Sequence, residues 1–319
     1  MADLSQTAFV FPGQGSQVVG MGKDVGDAHP VARDTFTEAD ALLGYPLSHL
    51  CFEGPEDDLN DTYYTQPALF VCSMALLRAL QTLHPEAKPR VMAGHSLGEL
   101  TALCAAGAYS FADGLRLVQA RGRLMKEAGE QHPGAMAAII GLDTPTLQAL
   151  VDRAVQETGA ILVSANDNSP GQVVVSGEVA AVDKAVELGK SFGARLVRKL
   201  PVSIASHSPL MADAARAFGD VLNSVTFETP VVPVYGNVNA APLTTPDAIR
   251  NELEAQLTSP VRWTESVAAM VAARVKTFVE IGSKDVLTGL IKRIDDSAAR
   301  VNVNSAPTLQ AYAETLMSS

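Results

Sequence analysis

Cysteine is scarce in this sequence, and the few cysteines present are badly placed for their usual structural uses. The chain has three, Cys51, Cys72 and Cys104, among 319 residues. An odd number at such wide spacing excludes a disulfide framework, and no Cys-x-x-Cys pair indicates a metal site. We therefore expect three reduced thiols, mostly buried.

Positive charge is also in short supply. The sequence has 24 Lys and Arg against 35 Asp and Glu, which gives a formal net charge of −11. Proteins that bind nucleic acids in general need a positive surface that displaces counterions from phosphates. The composition therefore excludes such a protein, and any anionic partner must be met by a local basic patch.

Long apolar runs are missing as well. No uncharged apolar stretch approaches the roughly 18 residues of a helical membrane span. Residues 1–10 lack the basic segment and apolar stretch of a signal peptide. No internal repeat or low-complexity segment stands out. We expect a cytoplasmic protein that does not associate with membranes.

What the sequence does contain is an alternation of short apolar strands and amphipathic helices. Residues 9–11 predict a buried strand that ends at a Pro-Gly turn, and residues 67–83 have helical spacing. Residues 90–93 predict a strand that runs through a sharp turn into a helix over 99–107, and residues 111–129 predict a further amphipathic helix. This order indicates an α/β fold with a parallel sheet.

The pattern changes between residues 132 and 200. There the order of predicted elements is βαββαβ, which is typical of a ferredoxin-like unit. Helices and short apolar strands resume afterwards. We therefore predict a discontinuous larger domain over residues 1–131 and 201–319, with a ferredoxin-like subdomain inserted at 132–200.

One turn carries a recognisable chemical motif. Gly94-His95-Ser96-Leu97-Gly98 matches G-x-S-x-G and lies between a predicted strand and a predicted helix. Small residues two positions either side of the serine allow the strained turn that such a nucleophile occupies. The Leu97 N–H, at the helix N-terminus, can donate to a developing oxyanion. Ser96 is therefore the candidate nucleophile.

A serine nucleophile needs a base, and histidine is the usual one. Of the six histidines, His95 adjoins Ser96 on the tight turn and should point elsewhere, and four others lie in predicted surface loops. His207 follows an apolar segment, residues 202–206, that predicts a strand with a polar end. Because α/β sites are assembled at strand ends, His207 is the candidate base, against the alternative of a loop histidine.

Several segments together give the chain a specific resemblance to the malonyl-CoA:acyl carrier protein transacylase family. It extends over residues 9–305, nearly the whole chain, and implies an α/β-hydrolase-like core with an inserted ferredoxin-like subdomain. The segments that carry it are Phe11-Pro12-Gly13-Gln14-Gly15-Ser16-Gln17, the Ser96 turn with Glu99, Gln119-Ala120-Arg121-Gly122-Arg123, Asn166-Asp167-Asn168-Ser169-Pro170-Gly171, the His207 segment and Gln256-Leu257-Thr258-Ser259-Pro260-Val261-Arg262-Trp263.

The resemblance implies a role for individual residues. It makes Ser96 the nucleophile and His207 its base, and it implies that Arg121 holds the free carboxylate of the malonyl group. The helix pattern alone favours a solvated surface charge at Arg121.

The resemblance also implies an oxyanion hole made by the backbone N–H groups of Leu97 and Gln14. In place of a triad aspartate, it implies that the backbone carbonyl of Gln256 orients the histidine.

The implied reaction is a ping-pong transfer of malonyl from malonyl-CoA, through a malonyl-serine, to the phosphopantetheine thiol of an acyl carrier protein. It needs no metal and no bound cofactor. Carrier proteins of this family are acidic, and we expect a monomer that meets one through a basic patch. The candidates for this patch are Arg195, Arg198, Lys199, Lys284, Lys292 and Arg293.

Alternatives remain open at this stage. Ser206 precedes His207 in a segment, Ile204-Ala205-Ser206-His207, that in related modular polyketide acyltransferases varies with malonyl or methylmalonyl selection. A trans-acting polyketide acyltransferase of methylmalonyl or broader acyl selection is therefore the second hypothesis. A serine thioesterase or esterase is the third, although its usual histidine lies near the C-terminus. A buried arginine opposite the nucleophile would separate transferase from hydrolase, and a non-catalytic docking subunit is the least favoured reading.

Overall fold

The computed structural model describes residues 3–317, which fold into two β-sheets and the helices that cover them. The strands are β1 Thr7–Phe11, β2 Val91–Gly94, β3 Gly134–Ile140, β4 Leu162–Ser169, β5 Gln172–Glu178, β6 Leu196–Lys199, β7 Val234–Tyr235, β8 Pro242–Leu243, β9 Thr277–Ile281 and β10 Ala299–Val303.

Residues 3–317 also form fourteen α-helices. They are α1 Lys23–Ala28, α2 Pro30–Leu43, α3 Leu47–Glu53, α4 Glu56–Asn60, α5 Thr62–Leu83, α6 Leu97–Ala105, α7 Phe111–Gln131, α8 Thr144–Thr158, α9 Val179–Leu188, α10 Ala212–Leu222, α11 Pro246–Gln256, α12 Trp263–Ala272, α13 Val286–Ile294 and α14 Ala306–Met317. Among residues 3–317, no helix combines the length and the apolar composition that crossing a membrane requires.

The larger sheet has the strand order β10-β9-β1-β2-β7-β8. Its first five strands are parallel, and β8 pairs antiparallel with β7 at one edge. Successive residues of β1 enter different clusters, Phe9 and Phe11 on one face and Ala8 and Val10 on the other. Side chains alternate across a strand, so these two clusters show that both faces of the sheet are buried. Helices cover both faces, as the predicted α/β class requires.

The smaller sheet is antiparallel and has the order β4-β5-β3-β6. Its inner face packs on α8 and α9 through a separate apolar cluster that includes Ile139, Leu150 and Val182. The observed βαββαβ order is the one predicted, and the fold class is confirmed. The domain boundaries at 132 and 200 stay a prediction, and residues 1–2 and 318–319 of the predicted large domain lie outside the described range.

The loop between α11 and α12 is hydrogen-bonded to strand β4 of the smaller sheet. Val261 donates its N–H to the carbonyl of Ala165 at 2.9 Å and accepts the N–H of Asp167 at 2.9 Å. These bonds form a parallel bridge to β4 from a residue just before α12. The loop between α11 and α12 is thereby fixed between the sheets.

One predicted element is absent. Residues 202–206, predicted as a strand ending at His207, form no strand, and His207 lies in a turn with φ 58° before a short 3-10 helix, Pro209–Met211. The segment passes so close to α7 and β3 that a Cβ on Gly129 would lie 2.7 Å from the Ile204 side chain and one on Gly134 would lie 2.5 Å from the Ala205 side chain. The apolar residues of this segment therefore pack against α7 and β3 and do not pair as a strand.

The turn between β2 and α6 depends on two glycines. A Cβ on Gly94 would lie 1.9 Å from the Gly98 carbonyl oxygen, and a Cβ on Gly98 would lie 2.0 Å from the Phe11 carbonyl oxygen. No real Cβ occupies such positions, so the helix can approach β1 and β2 this closely only without side chains. The spacing of the G-x-S-x-G motif is therefore a packing requirement of the sheet.

We predict that Gly98→Ala lowers the free energy of unfolding by about 3 kcal/mol or more, because backbone must move to admit the methyl group. The matched control is Gly219→Ala in α10, where a Cβ meets nothing within 4 Å. This substitution should raise the free energy of unfolding by up to about 1 kcal/mol through helix propensity. Urea titration of both variants measures the difference, and equal midpoints for Gly98→Ala and the wild type would refute the packing argument.

Candidate active site

Ser96 occupies a strained position between β2 and α6. Its φ is 51° and its ψ is −107°, a conformation that residues with a side chain rarely adopt. The strain places the hydroxyl at the start of a nine-residue helix. Such a strained backbone persists only where neighbouring residues hold it in place, as they do at Ser96.

Asn237 fixes the turn from the opposite side. It directly follows Gly236 after strand β7, and its side chain is buried. Its Oδ1 accepts the N–H of Ser96 at 2.7 Å, and its Nδ2 donates to the carbonyl of Gly94 at 2.8 Å. One amide side chain thus satisfies the backbone groups on both sides of His95.

His207 is in direct contact with Ser96. Its Nε2 lies 2.8 Å from Ser96 Oγ, and its Nδ1 lies 2.9 Å from the carbonyl oxygen of Gln256 and 3.1 Å from that of Ser259. Two carbonyl acceptors assign the proton to Nδ1 and leave Nε2 free to accept from the serine. Burial, and then the nearby charge of Arg121, lower the pKa of His207 to about 3, so the ring is neutral at neutral pH.

Arg121 is the most unusual group in the site. The helix pattern alone favoured a surface charge, and this reading is wrong, because the side chain is 1% exposed. Its guanidinium donates to Ser96 Oγ at 3.0 Å, to Gln66 Oε1 at 2.9 Å and to Gln256 Oε1 at 2.9 Å. Burial lowers the pKa of Arg121 to about 10, which still leaves it protonated at neutral pH.

The Arg121 cation is incompletely satisfied. Within residues 3–317 it forms no salt bridge, and its buried Nε has no hydrogen-bond partner. A buried charge without a counterion is costly, and a guanidinium fork suits a carboxylate. The arrangement can therefore receive an anionic group directly beside the Ser96 hydroxyl.

Gln256, the last residue of α11, connects these groups. Its backbone carbonyl accepts from His207, its Oε1 accepts from Arg121, and its Nε2 donates to the Ser96 carbonyl at 3.1 Å. The family resemblance implied only the carbonyl contact. The side chain adds three contacts, to Arg121, to the Ser96 carbonyl and to Glu99, so that one residue contacts the base, the cation and the serine backbone.

Leu97 and Gln14 supply unused backbone donors near Ser96. In the described part of the chain, neither amide N–H donates a hydrogen bond. Leu97 is the first residue of α6, and the Gln14 turn packs on the serine turn, since a Cβ on Gly13 would lie 2.3 Å from the His95 carbonyl oxygen. The Gln14 side chain instead donates to Thr62 Oγ1 at 2.9 Å. His95, as expected, points away, and its Nε2 lies 2.7 Å from Asn168 Oδ1.

The chain matches known proteins over nearly its whole length. A family model described as an acyl transferase domain matches residues 8–315. The chain belongs to the acyl transferase family. Within this family it is 46% identical to the malonyl CoA-acyl carrier protein transacylase of Escherichia coli (strain K12) over 98% of this chain and 100% of that protein, and 42% identical to that of Bacillus subtilis (strain 168) over 98% of each.

Solved acyl transferase structures have the same fold. An acyl carrier protein S-malonyltransferase from Vibrio cholerae superposes with a TM-score of 0.92 at 44% identity, over 96% of this chain and 99% of that one. A malonyl-transacylase in complex with a type II PKS acyl-carrier protein superposes with a TM-score of 0.94, also at 44% identity, over 97% and 99%.

Sequence reasoning missed three groups of this acyl transferase site. Asn237 follows a strand adjacent to β2, so the rule that sites form at strand ends could have found it. Glu99, in the quoted motif, is fully buried and accepts from the Gln256 side chain. Gln66 lies inside an apolar helix, where nothing in the local pattern distinguishes it from a core-facing amide.

We predict that Arg121→Gln raises the pKa of His207, because it removes a positive charge that disfavours the imidazolium. Arg123→Gln is the matched control, since Arg123 lies on the same helix but is exposed and pairs with Glu127. A pH titration of the His207 ring followed by ¹⁵N NMR, with His207→Gln for assignment, measures the shift. An unchanged or lower pKa in Arg121→Gln would contradict the charge coupling.

Proposed function

We propose that this protein transfers the malonyl group from malonyl-CoA to the phosphopantetheine thiol of an acyl carrier protein, with Ser96 as nucleophile and His207 as base. The observation that carries the proposal is the buried guanidinium of Arg121, which has no carboxylate in contact within residues 3–317 and lies 3.0 Å from Ser96 Oγ. A carboxylate on the acyl group is the ligand that this cation lacks. The relatives named as malonyl CoA-acyl carrier protein transacylases support the same substrate pair.

In the first half-reaction, Ser96 Oγ attacks the thioester carbonyl carbon while His207 Nε2 takes the hydroxyl proton over the 2.8 Å contact. The carbonyl oxygen becomes an oxyanion, for which the N–H groups of Leu97 and Gln14 are the available donors. When the carbon–sulfur bond breaks, His207 returns its proton to the coenzyme A sulfur. The product is a malonyl ester on Ser96.

The substrate carboxylate also changes the base. Arg121 lowers the pKa of His207, so a carboxylate bound to Arg121 offsets that charge and makes His207 a better proton acceptor. It also gives the guanidinium an alternative to its bond with Ser96 Oγ. Malonyl binding thus frees the nucleophile and strengthens the base in one event.

The second half-reaction mirrors the first. The carrier thiol gives its proton to His207 and attacks the ester carbon, and His207 protonates Ser96 as the ester bond breaks. Serine, histidine, arginine and backbone donors meet every requirement for proton transfer and charge stabilisation. We therefore propose that no metal or bound cofactor takes part.

A serine hydrolase is the competing function, and the charge in the site disfavours it. An esterase or thioesterase has no use for a buried arginine that contacts the nucleophile. Here Arg121 is held by Gln66 and Gln256 from two different helices, α5 and α11. A guanidinium held in this fixed position favours an acyl group that carries an anionic carboxylate.

We propose that an acidic carrier docks on some of the cations predicted from the sequence. Arg293 of α13 contacts Gln172 at the start of β5, and Arg195 packs on Gly141, whose N–H donates to Gly171. Lys284 donates to the Gly15 carbonyl at 3.2 Å, beside the Gln14 turn. Lys284 therefore lies beside the Gln14 turn, and Arg293 and Arg195 lie near the turn between β4 and β5, which supports a docking patch that includes these three cations.

We predict that brief incubation with malonyl-CoA adds one malonyl group to the wild type and none to Ser96→Ala, as measured by intact mass spectrometry. Added carrier protein bearing phosphopantetheine should remove the adduct. Parallel samples with acetyl-CoA and methylmalonyl-CoA test acyl selection, and equal labelling by methylmalonyl-CoA would favour the broader acyltransferase. Rapid loss of the adduct to water without carrier would indicate a hydrolase instead.

We also predict that Arg121→Gln slows malonyl labelling by about 10²-fold or more, since it removes one partner of a buried charge pair. Acetyl labelling, which lacks that pair, should not fall in this variant. The ratio of the two labelling rates is the measurement, with Arg123→Gln as the surface control. An equal fall for both acyl groups would argue against a carboxylate at Arg121.

A further inference from the structure

Glu99 is a buried acid that the mechanism above does not use. It lies in the first turn of α6, three residues after Ser96, and its side chain has no exposed surface. Its Oε2 accepts the Gln256 Nε2–H at 2.8 Å and the Asn237 backbone N–H at 3.1 Å. A carboxyl group is rarely buried unless it is hydrogen-bonded, because burial of an unsatisfied polar group is destabilising.

The two groups that Glu99 holds are the two that organise the site. Asn237 fixes the strained backbone of Ser96 through its side-chain amide. Gln256 contacts His207 through its carbonyl and Arg121 through its Oε1. Glu99 is therefore one bond removed from the nucleophile turn, the base and the cation.

The surroundings of Glu99 favour an uncharged hydrogen-bond acceptor. Burial and the nearby Glu252 carboxyl raise the pKa of Glu99 well above its ordinary value, while its two hydrogen bonds and the more distant Arg121 charge act the other way. Its Oε1 is buried and has no partner within residues 3–317. The geometry requires an acceptor at Oε2, and it does not provide a cation in contact.

We propose that Glu99 is a positioning residue that fixes Ser96, His207 and Arg121 by accepting hydrogen bonds from Gln256 and Asn237. The proposal rests on the proposed function for its kinetic consequence but not for its structural one. Without this acceptor, Gln256 and Asn237 lose a shared anchor, and the Ser96–His207 contact loosens. Misplacement of reacting groups by about 1 Å can lower a rate about 10²-fold.

The test compares substitutions that remove the acceptor with one that keeps it. Glu99→Ala and Glu99→Leu remove both hydrogen bonds, the second while filling the space, so at least one is expected to fold. Glu99→Gln keeps an oxygen acceptor and removes the carboxyl. Rapid-quench measurement of malonyl-Ser96 formation should show an acylation rate constant about 10²-fold lower in the first two, with KM little changed. Glu99→Gln should remain within about tenfold of the wild type.

A second readout needs no substrate. The His207 Nδ1 proton, held by the Gln256 carbonyl, should give a downfield ¹H NMR signal that shifts or broadens in Glu99→Ala or Glu99→Leu and persists in Glu99→Gln. Glu280→Ala is the matched control, because Glu280 is equally buried but its carboxyl accepts from the N–H groups of Leu287 and Thr288. It should lower stability and leave both the signal and the rate of the folded enzyme unchanged.

The outcomes separate this inference from the proposed function. A folded Glu99→Ala or Glu99→Leu with the wild-type rate and signal overturns the positioning role, and so does a Glu99→Gln as slow as Glu99→Ala, which would assign the effect to charge. A wild type that forms no malonyl adduct refutes the proposed function, and the His207 signal then still decides the role of Glu99.

Discussion

The contact between the Arg121 guanidinium and the Ser96 hydroxyl is the interaction on which the rest of the site depends. It places a full positive charge in a buried position where the described chain offers no carboxylate in contact. Leaving one charge of a buried pair alone costs about 3–5 kcal/mol. The amides of Gln66 and Gln256 partly offset this cost, and the remaining deficit is what an anionic acyl group would remove.

Holding that cation requires parts of the chain that are far apart. Arg121 comes from α7, Gln66 from α5 and Gln256 from α11, while Ser96 projects from the turn that the packing of β1 and β2 forces on Gly94 and Gly98. The parallel sheet brings the Asn237 loop beside this turn, and the bridge at Val261 fixes the loop that follows Gln256. The two sheets thus contribute to one small cluster of hydrogen bonds.

The site combines local and long-range contacts, and this difference explains which features could be predicted from the sequence. Ser96 could be proposed as the nucleophile because its motif has a local cause, and the fold class could be predicted because periodicity reports burial along each element. Arg121 required the resemblance, since helical spacing cannot show that a neighbouring helix covers a charge. Asn237 accepts a hydrogen bond from Ser96 but lies 141 residues away in the sequence, and no local pattern encodes such a pair. The strand predicted over residues 202–206 was wrong because an apolar run reports burial but not pairing.

The same electrostatics suggest how one site serves two half-reactions. In the proposed reaction the acyl carboxylate remains attached to the group being transferred, so it would stay beside Arg121 while the thiol partner changes from coenzyme A to the carrier. Burial lowers the pKa of His207 throughout, and the Arg121 charge lowers it further when Arg121 lacks a counterion. An acyl group without a carboxylate would meet a site in which Arg121 still binds Ser96 and still disfavours the imidazolium. Selection would then act through activation of the base as well as through binding, and it would operate at both transfers.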